Sequence, residues 1–285
     1  MTRVLIVDGN SAETRAQQVA AGGTDSGDAY ADIVSRLGAE LGVRIDCDIV
    51  RPADGLPTWT DGGQLGNYNG AAITGSAHNV YSGQPAVMRQ VDLTKAVLAA
   101  AVPVFGSCWG LQVAVAATGG RVIENPRGRE FGFARRIELN QAGREHPMFR
   151  DKAPVFEAIT VHRDCVAALP PGGIELARND MGLQAAEIRQ GASVVWGVQY
   201  HPEYTLREIA ATARRYGDAL VQDQLFHDTA HLLDFSADLD ALHQTPGNRM
   251  LAWRYGLGPG VTQASQRLTE LRNWLVHQIL KQPPN

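Results

Sequence analysis

The stretch Val102-Pro-Val-Phe-Gly-Ser-Cys-Trp-Gly-Leu-Gln112 constrains the fold more than any other part of the chain. An apolar run meets Gly106-Ser107-Cys108-Trp109-Gly110, and apolar helix-compatible residues follow to Ala117. From Ala96 to Gly120 there is no Asp, Glu, Lys or Arg. Pro103, Gly106, Ser107, Gly110 and Gln112 interrupt that apolar run. It therefore reads as a buried strand, a tight turn and a buried helix rather than a membrane span. Glycines on either side of a central Cys are the pattern of an elbow that pushes one side chain out at the carboxyl edge of a sheet. There Cys108 sits at a helix N-terminus, where the dipole favours thiolate, and the Trp109 N–H faces any oxyanion formed beside the sulfur.

The rest of the chain supplies a sheet to hold such an elbow. Arg3–Val7, 45–50, 70–73 and Val102–Phe105 read as strands, with helical spacing at Ile33, Val34, Leu37 and Leu41 and again at Val87, Val91 and Leu98. Residues 11–28 show no clear period, and the Pro- and Gly-rich stretch 52–69 reads as loop. Alternating strands and helices predict an open, mostly parallel sheet with helices on both faces. Residues 133–139, 155–161, 174–177, 183–188 and 192–200 read as closely spaced strands at one side of that sheet, which makes it mixed. Beyond about residue 205, Leu232–Leu242 and Val261–Leu275 carry helix spacing. The expected organisation is a domain over 1–210 and a helical C-terminal extension over 211–285. In that extension Trp253 and Trp274 are expected to bury within the monomer, with self-association into a homo-oligomer as the alternative.

Composition closes off other classes. With 44% apolar and 20% charged residues, overall disorder is excluded. A net charge of −4 calls for neither nucleic acid nor a membrane surface. Three cysteines are too few for a disulfide framework; Cys47 and Cys165 are expected to be inert. MTRVLIVDGN has too short an apolar stretch for a secretory signal, so the expected location is the cytoplasm.

A partner for Cys108 appears downstream in Val198-Gln-Tyr-His-Pro-Glu203. In an extended segment His201 and Glu203 lie on one side, so the carboxylate can orient the imidazole. A Cys–His–Glu set is the thiol version of the nucleophile–base–acid logic. His146 lies in a turn, the tail residues His227, His231, His243 and His277 are expected on solvated faces, and His78 and His162 remain as supporting groups.

GSCWGLQ (106–112), VQYHPE (198–203), ITGSAHNVY (73–81) and HRD (162–164) together resemble the class I, triad-type glutamine amidotransferases, in the branch of the amidotransferase domain of GMP synthetase. The spacing of about 93 residues between Cys108 and His201 suits that family. The resemblance covers roughly residues 1–210. It implies a flavodoxin-like α/β fold with Cys108 as nucleophile, His201 as general base and acid, and Glu203 as its orienter. It implies oxyanion donors in the backbone N–H groups of Gly75, Ser76 and Trp109, and contacts to substrate from Gln112, Tyr81 and His162. No metal or organic cofactor is needed. Arg163 departs from the glycine common in relatives, which implies altered recognition of the amino-acid end. Trp109 is expected to narrow the pocket or stack on substrate. In Asn125–Phe131, Arg127, Arg129 or Glu130 is expected to read polar groups, a solvated hairpin being the alternative.

The expected function is a stand-alone hydrolase that cleaves the γ-amide of glutamine or a γ-glutamyl amide through a γ-glutamyl thioester. The alternative is a glutaminase subunit that passes ammonia to a separate synthetase; a third reading is a redox-sensing thiol. The chain carries no Walker-type phosphate loop and is too short for a synthetase beside residues 1–210.

Overall fold

A computed structural model describes residues 1–57 and 63–281, so the loop expected over 52–69 lies partly outside the described residues. The central sheet has nine strands: β1 (Thr2–Val7), β2 (Ile45–Val50), β3 (Gly70–Ile73), β4 (Val104–Ser107), β6 (Glu130–Leu139), β7 (Val155–His162), β9 (Ile174–Asn179), β10 (Gly182–Gln190) and β11 (Ser193–Val198). Their order is β2-β1-β3-β4-β11-β10-β9-β6-β7. The first five are parallel and the remaining four antiparallel. Among the parallel strands, β1, β3, β4 and β11 are short apolar runs largely buried on both faces because helices cover both, while the edge strand β2 carries Asp46 and Asp48 and is half-buried. β5 (Arg121–Glu124) and β8 (Asp164–Ala168) form a separate two-stranded ribbon that the sequence reading did not anticipate.

Four carboxyl ends meet on one edge of the sheet: the loops after β1 (Asp8–Asn10), β3 (Thr74–Ser76) and β4 (Cys108), and the turn His201–Glu203 shortly after β11. Open α/β sheets bind ligands at this edge.

Helix α1 (Ala12–Ala20) starts at Ser11, whose side chain accepts from the Thr14 N–H. It buries little beyond Gln18, so it has no apolar stripe, and no period is readable over 11–28. Helix α2 (Ser26–Glu40) is capped by Asp25, α3 (Pro85–Ala99) opens on a proline, and α4 (Trp109–Ala117) follows Cys108 directly. A short α5 (Gln141–Glu145) precedes β7.

Helix α6 (Leu206–Gln222) runs unbroken in sequence across residue 210 and packs against α1 and α7 (Thr229–Gln244). Leu232, Phe235, Leu239 and Leu242 are buried on α7, on the face their spacing indicates. Val261–Leu275 is not one helix. After α8 (Arg249–Arg254) the chain makes α9 (Pro259–Thr262), α10 (Ala264–Arg267), α11 (Thr269–Trp274) and a wide turn over Leu275–Ile279. Gln263 is extended between α9 and α10, which lets the buried Arg267 guanidinium return to the Val261 carbonyl at 3.0 Å. Apolar spacing is the same for one helix and for successive turns around a buried side chain.

This last segment belongs to the main core. Trp274 is fully buried against Phe105 with ring centroids 6.0 Å apart, and a Cβ on Gly70 would lie 2.2 Å from Ile279 Cδ1. Trp253, expected to bury, is instead 75% exposed on α8. The short α8 buries no residue, so its indole has no core to enter. Among the described residues no helix is long and apolar enough to cross a membrane.

Candidate active site

Cys108 has φ 51° and ψ −100°, a left-handed conformation that is strained for a side chain larger than glycine. Its neighbours show why the turn needs glycine. A Cβ on Gly106 would lie 2.5 Å from the Gly110 carbonyl carbon, and one on Gly110 would lie 2.4 Å from the Ile73 oxygen. The elbow is tied to β11 by Cys108 N–H donating to the Val198 carbonyl at 2.7 Å. The thiol points at the Val161 carbonyl, 3.5 Å away.

His201 enters from the other side. Its N–H donates to the Ile159 carbonyl, its ring stacks on Tyr204 at 4.1 Å, and Nδ1 meets Glu203 Oε1 at 2.8 Å. Burial alone would lower its pKa. The charges of Glu203 and Cys108, with the hydrogen bond to Glu203, more than offset that and raise it to about 10. Nε2 is buried without a hydrogen-bond partner. At neutral pH this side chain is an imidazolium.

The turn after β3 completes the set. The Gly75 carbonyl accepts from Thr74 Oγ1 at 2.9 Å and from Asn10 Nδ2 at 3.1 Å. A trans peptide so held points the Ser76 N–H the opposite way. Asn10 is itself fixed: Oδ1 accepts from the Ala77 N–H, and Nδ2 also reaches Ser26, which donates to Asp8. Among the described residues the N–H groups of Gly75, Ser76 and Trp109 donate to no protein acceptor. They are the donors that the family resemblance implies for an oxyanion.

A pocket opens over the sulfur, walled by Gln112, Arg129, His162, Arg163, Asp164 and Tyr216. Gln112 is buried and donates to Gln199 Oε1 at 3.2 Å. Asp164 is buried and accepts from Asn79 at 2.8 Å and from the Tyr81 hydroxyl at 2.9 Å. Tyr81 therefore reaches the pocket through Asp164. His162 bonds Glu130 through Nε2 at 2.8 Å and the Asp164 carbonyl through Nδ1 at 2.9 Å.

Of the 125–131 segment, Arg129 alone lines this pocket. It donates to Asp223 at 2.7 Å, and its guanidinium lies over the Tyr216 ring. Asp223 also takes Arg163 at 3.3 Å, and these two cations hold its carboxyl below the usual range. Glu130 is buried and orients His162, whereas Arg127 turns away to the Asp180 carbonyl. The expectation for Trp109 does not hold: its indole is fully buried, donates to Gln90 at 2.7 Å and packs against Gly9. A side chain in the first turn of a helix that follows a sharp elbow points back under the sheet edge. Asp164, Asn79, Asn10, Tyr216 and Asp223 were missing from the candidates. Asp164 had a signal in the HRD segment and Asn79 in the ITGSAHNVY segment. Cys47 and Cys165 are half-buried, and burial pushes both thiols up, as inert thiols require.

Residues 24–214 match the Glutamine amidotransferase class-I family. The chain belongs to that family. It is 32% identical over 284 residues to a γ-glutamyl-L-1-hydroxyisopropylamide hydrolase of Pseudomonas sp, covering 98% of this chain and 93% of that protein. It is 30% identical over 192 residues to the glutamine-hydrolysing GMP synthase of Escherichia coli (strain K12 / DH10B), covering 64% of this chain and only 33% of the synthase. A glutamine amidotransferase from Thermotoga maritima superposes with TM-score 0.61 at 18% identity, over 95% of this chain and 98% of that one. A glutamine amido transferase from Methylobacillus Flagellatus does so with TM-score 0.56 at 18% identity, over 90% and 96%. These two solved structures establish the fold. Family and relatives make this amidotransferase a hydrolase of carbon–nitrogen bonds.

Proposed function

We propose that this amidotransferase is a stand-alone γ-glutamyl amide hydrolase using Cys108, His201 and Glu203. The observation that carries the reading is the buried imidazole bound to Glu203 Oε1 through Nδ1, with Nε2 unpaired and Cys108 near enough to raise its pKa. The thiolate attacks the γ-carbonyl carbon, and the resulting oxyanion rests on the N–H groups of Trp109 and of the Gly75–Ser76 turn. His201 protonates the departing amine, leaving a γ-glutamyl thioester. Water, deprotonated by His201, then releases glutamate and restores the thiol. Glu203 keeps the imidazole in one orientation through both steps.

The pocket fits the glutamyl half. Asp164 offers a buried carboxylate to the α-ammonium, and Arg129 and Arg163 offer guanidinium groups to the α-carboxylate. This arrangement accounts for an arginine at 163. Gln112 flanks the γ-carbonyl. The Pseudomonas relative, whose name specifies a γ-glutamyl amide, matches 98% of this chain over 93% of its own length.

The test is turnover by the purified chain of glutamine and a panel of γ-glutamyl amides. The expected result is release of glutamate without any added protein, and a loss of at least about 10³ in kcat on Cys108→Ser. The match to one third of a GMP synthase favours a second reading, a glutaminase serving a separate synthetase. Negligible turnover until such a partner is added would decide for it.

A further inference from the structure

The residue before His201 is tied to a helix near the far end of the chain. Tyr200 is buried, and its hydroxyl donates to Glu270 Oε1 at 2.5 Å. Glu270 lies on α11, is fully buried, and meets Lys152 Nζ through Oε1 at 2.9 Å and through Oε2 at 3.1 Å. Lys152 also donates to the Gln266 carbonyl at 2.9 Å and lies over the Phe156 ring, which meets Tyr200 edge-on. We propose that Tyr200 and Glu270 are positioning residues for the hydrolysis, with α11 holding the turn from which His201 and Glu203 project. This rests on the hydrolase reading above and concerns the placement of its base.

The backbone shows what the tether adds. The Gln199 N–H donates to the Gln184 carbonyl on β10, and the His201 N–H donates to the Ile159 carbonyl on β7, each at 2.8 Å. The chain is therefore anchored on either side of Tyr200 to two different strands. Between those anchors the backbone can still twist, and a twist there swings the imidazole. The phenol gives a third point of attachment, and among the described residues it has no other hydrogen-bond partner. Burial, and then the Glu270 charge, pushes the phenol well up, so it stays a donor.

Stability alone does not call for this arrangement. Replacing a buried ion pair by apolar side chains of similar volume is often neutral or stabilising. Apolar side chains could fill the places of Glu270 and Lys152, but they could not offer the Tyr200 hydroxyl an acceptor at a fixed point. The same segment also reaches the triad through charge. Arg267, three residues before Glu270, is buried with Nε unpartnered. Burial and Arg36 bring its pKa down to about 10, and Glu203 acts against them.

The experiment measures kcat, KM, the thermal midpoint and the rate of iodoacetamide alkylation at the Cys108 peptide in wild type, Tyr200→Phe and Glu270→Gln. Tyr200→Phe deletes one oxygen and leaves Glu270 paired with Lys152. It is expected to lower kcat about tenfold, the cost of a shift about half the 1 Å that costs roughly 10². KM should stay within twofold, the thermal midpoint should change little, and alkylation should slow with kcat. Glu270→Gln breaks the charge pair but keeps an oxygen where Oε1 stands. It is expected to lower the thermal midpoint while kcat stays within threefold. A merely structural contact would instead make kcat follow the thermal midpoint in both variants, and that result overturns the tether. A kcat within twofold of wild type in Tyr200→Phe overturns it as well. So does a kcat loss with alkylation unchanged, since the imidazole has then not moved. Should Tyr200→Phe not fold, Lys152→Met combined with Glu270→Leu removes the acceptor without stranding a buried charge, and the same kcat loss is expected of it. Absence of turnover of glutamine and γ-glutamyl amides by the wild type removes the hydrolase reading, and the alkylation rates then decide the tether by themselves.

Discussion

Gly75→Ala places a methyl group against the imidazole. A Cβ at that position lies 2.5 Å from His201 Cε1, about 0.9 Å inside the closest ordinary contact of 3.4 Å. The backbone itself accepts alanine, since Gly75 is not among the glycines with positive φ. The ring must therefore retreat. It is clamped by Glu203 at 2.8 Å and stacked on Tyr204 at 4.1 Å, so a retreat of that size pulls Nε2 away from the sulfur. Misplacing a reacting group by about 1 Å costs roughly 10² in rate, or about 2.7 kcal/mol at 1.36 kcal/mol per decade. The expected result is a kcat near one hundredth of wild type with a thermal midpoint little changed. Alkylation of Cys108 by iodoacetamide should slow in parallel, because the thiolate loses its counter-ion. A kcat within threefold of wild type refutes the reasoning. A fall in kcat with unchanged alkylation places the loss in the oxyanion turn and not in the imidazole.

Three other perturbations address the remaining parts of the site. Asn10→Ala releases the Gly75 carbonyl and frees the peptide whose N–H serves the oxyanion. It should lower kcat by up to about 10², the lower end of the range for loss of one such donor, with KM nearly constant; a raised KM at constant kcat contradicts it. The His201 pKa, raised to about 10 in the fold against 6.5 in the unfolded chain, stabilises fully below about pH 6.5. That contribution is lost as pH rises through about 10. Thermal melts of wild type and Glu203→Gln should therefore differ more at pH 6.5 than at pH 10, and a gap independent of pH counts against the charge pair. Arg129→Ala removes a charge-assisted contact worth about 1.5–3 kcal/mol. It should raise KM for γ-glutamyl substrates roughly tenfold or more with kcat within threefold. The opposite split would move Arg129 out of the glutamyl pocket.

The strands of the parallel half and the elbow were legible because they depend on short-range patterns. Apolar runs that end in glycine and polar turns carry their own boundaries, and Gly106 and Gly110 are needed by contacts within the motif and with the adjacent strand. His201 and Glu203 were legible as a pair because two residues apart suffices for their contact. The parts that were not legible depend on long-range placement. Trp109 reads as a bulky residue beside the nucleophile, but its neighbours Gln90 and Gly9 come from α3 and the loop after β1. Asp223 lies in the stretch expected to be an accessory, yet its carboxylate meets Arg129 and Arg163 over the pocket. The ribbon of β5 and β8 is formed of short segments with no alternation to mark them. Trp274 and Trp253 are both indoles on short helices, and only the position of the sheet distinguishes the buried one from the exposed one.

The central claim is that a γ-glutamyl group passes through the Cys108 sulfur. Rapid acid quench of the enzyme during turnover of a γ-glutamyl amide, followed by peptide mass spectrometry, measures this directly. The account predicts one glutamyl increment on the peptide that contains Cys108, absent from Cys108→Ala and accumulating in His201→Ala acylated with an activated γ-glutamyl ester. Sustained glutamate release by a Cys108→Ala protein, or an increment on Cys47 or Cys165 instead, would contradict it.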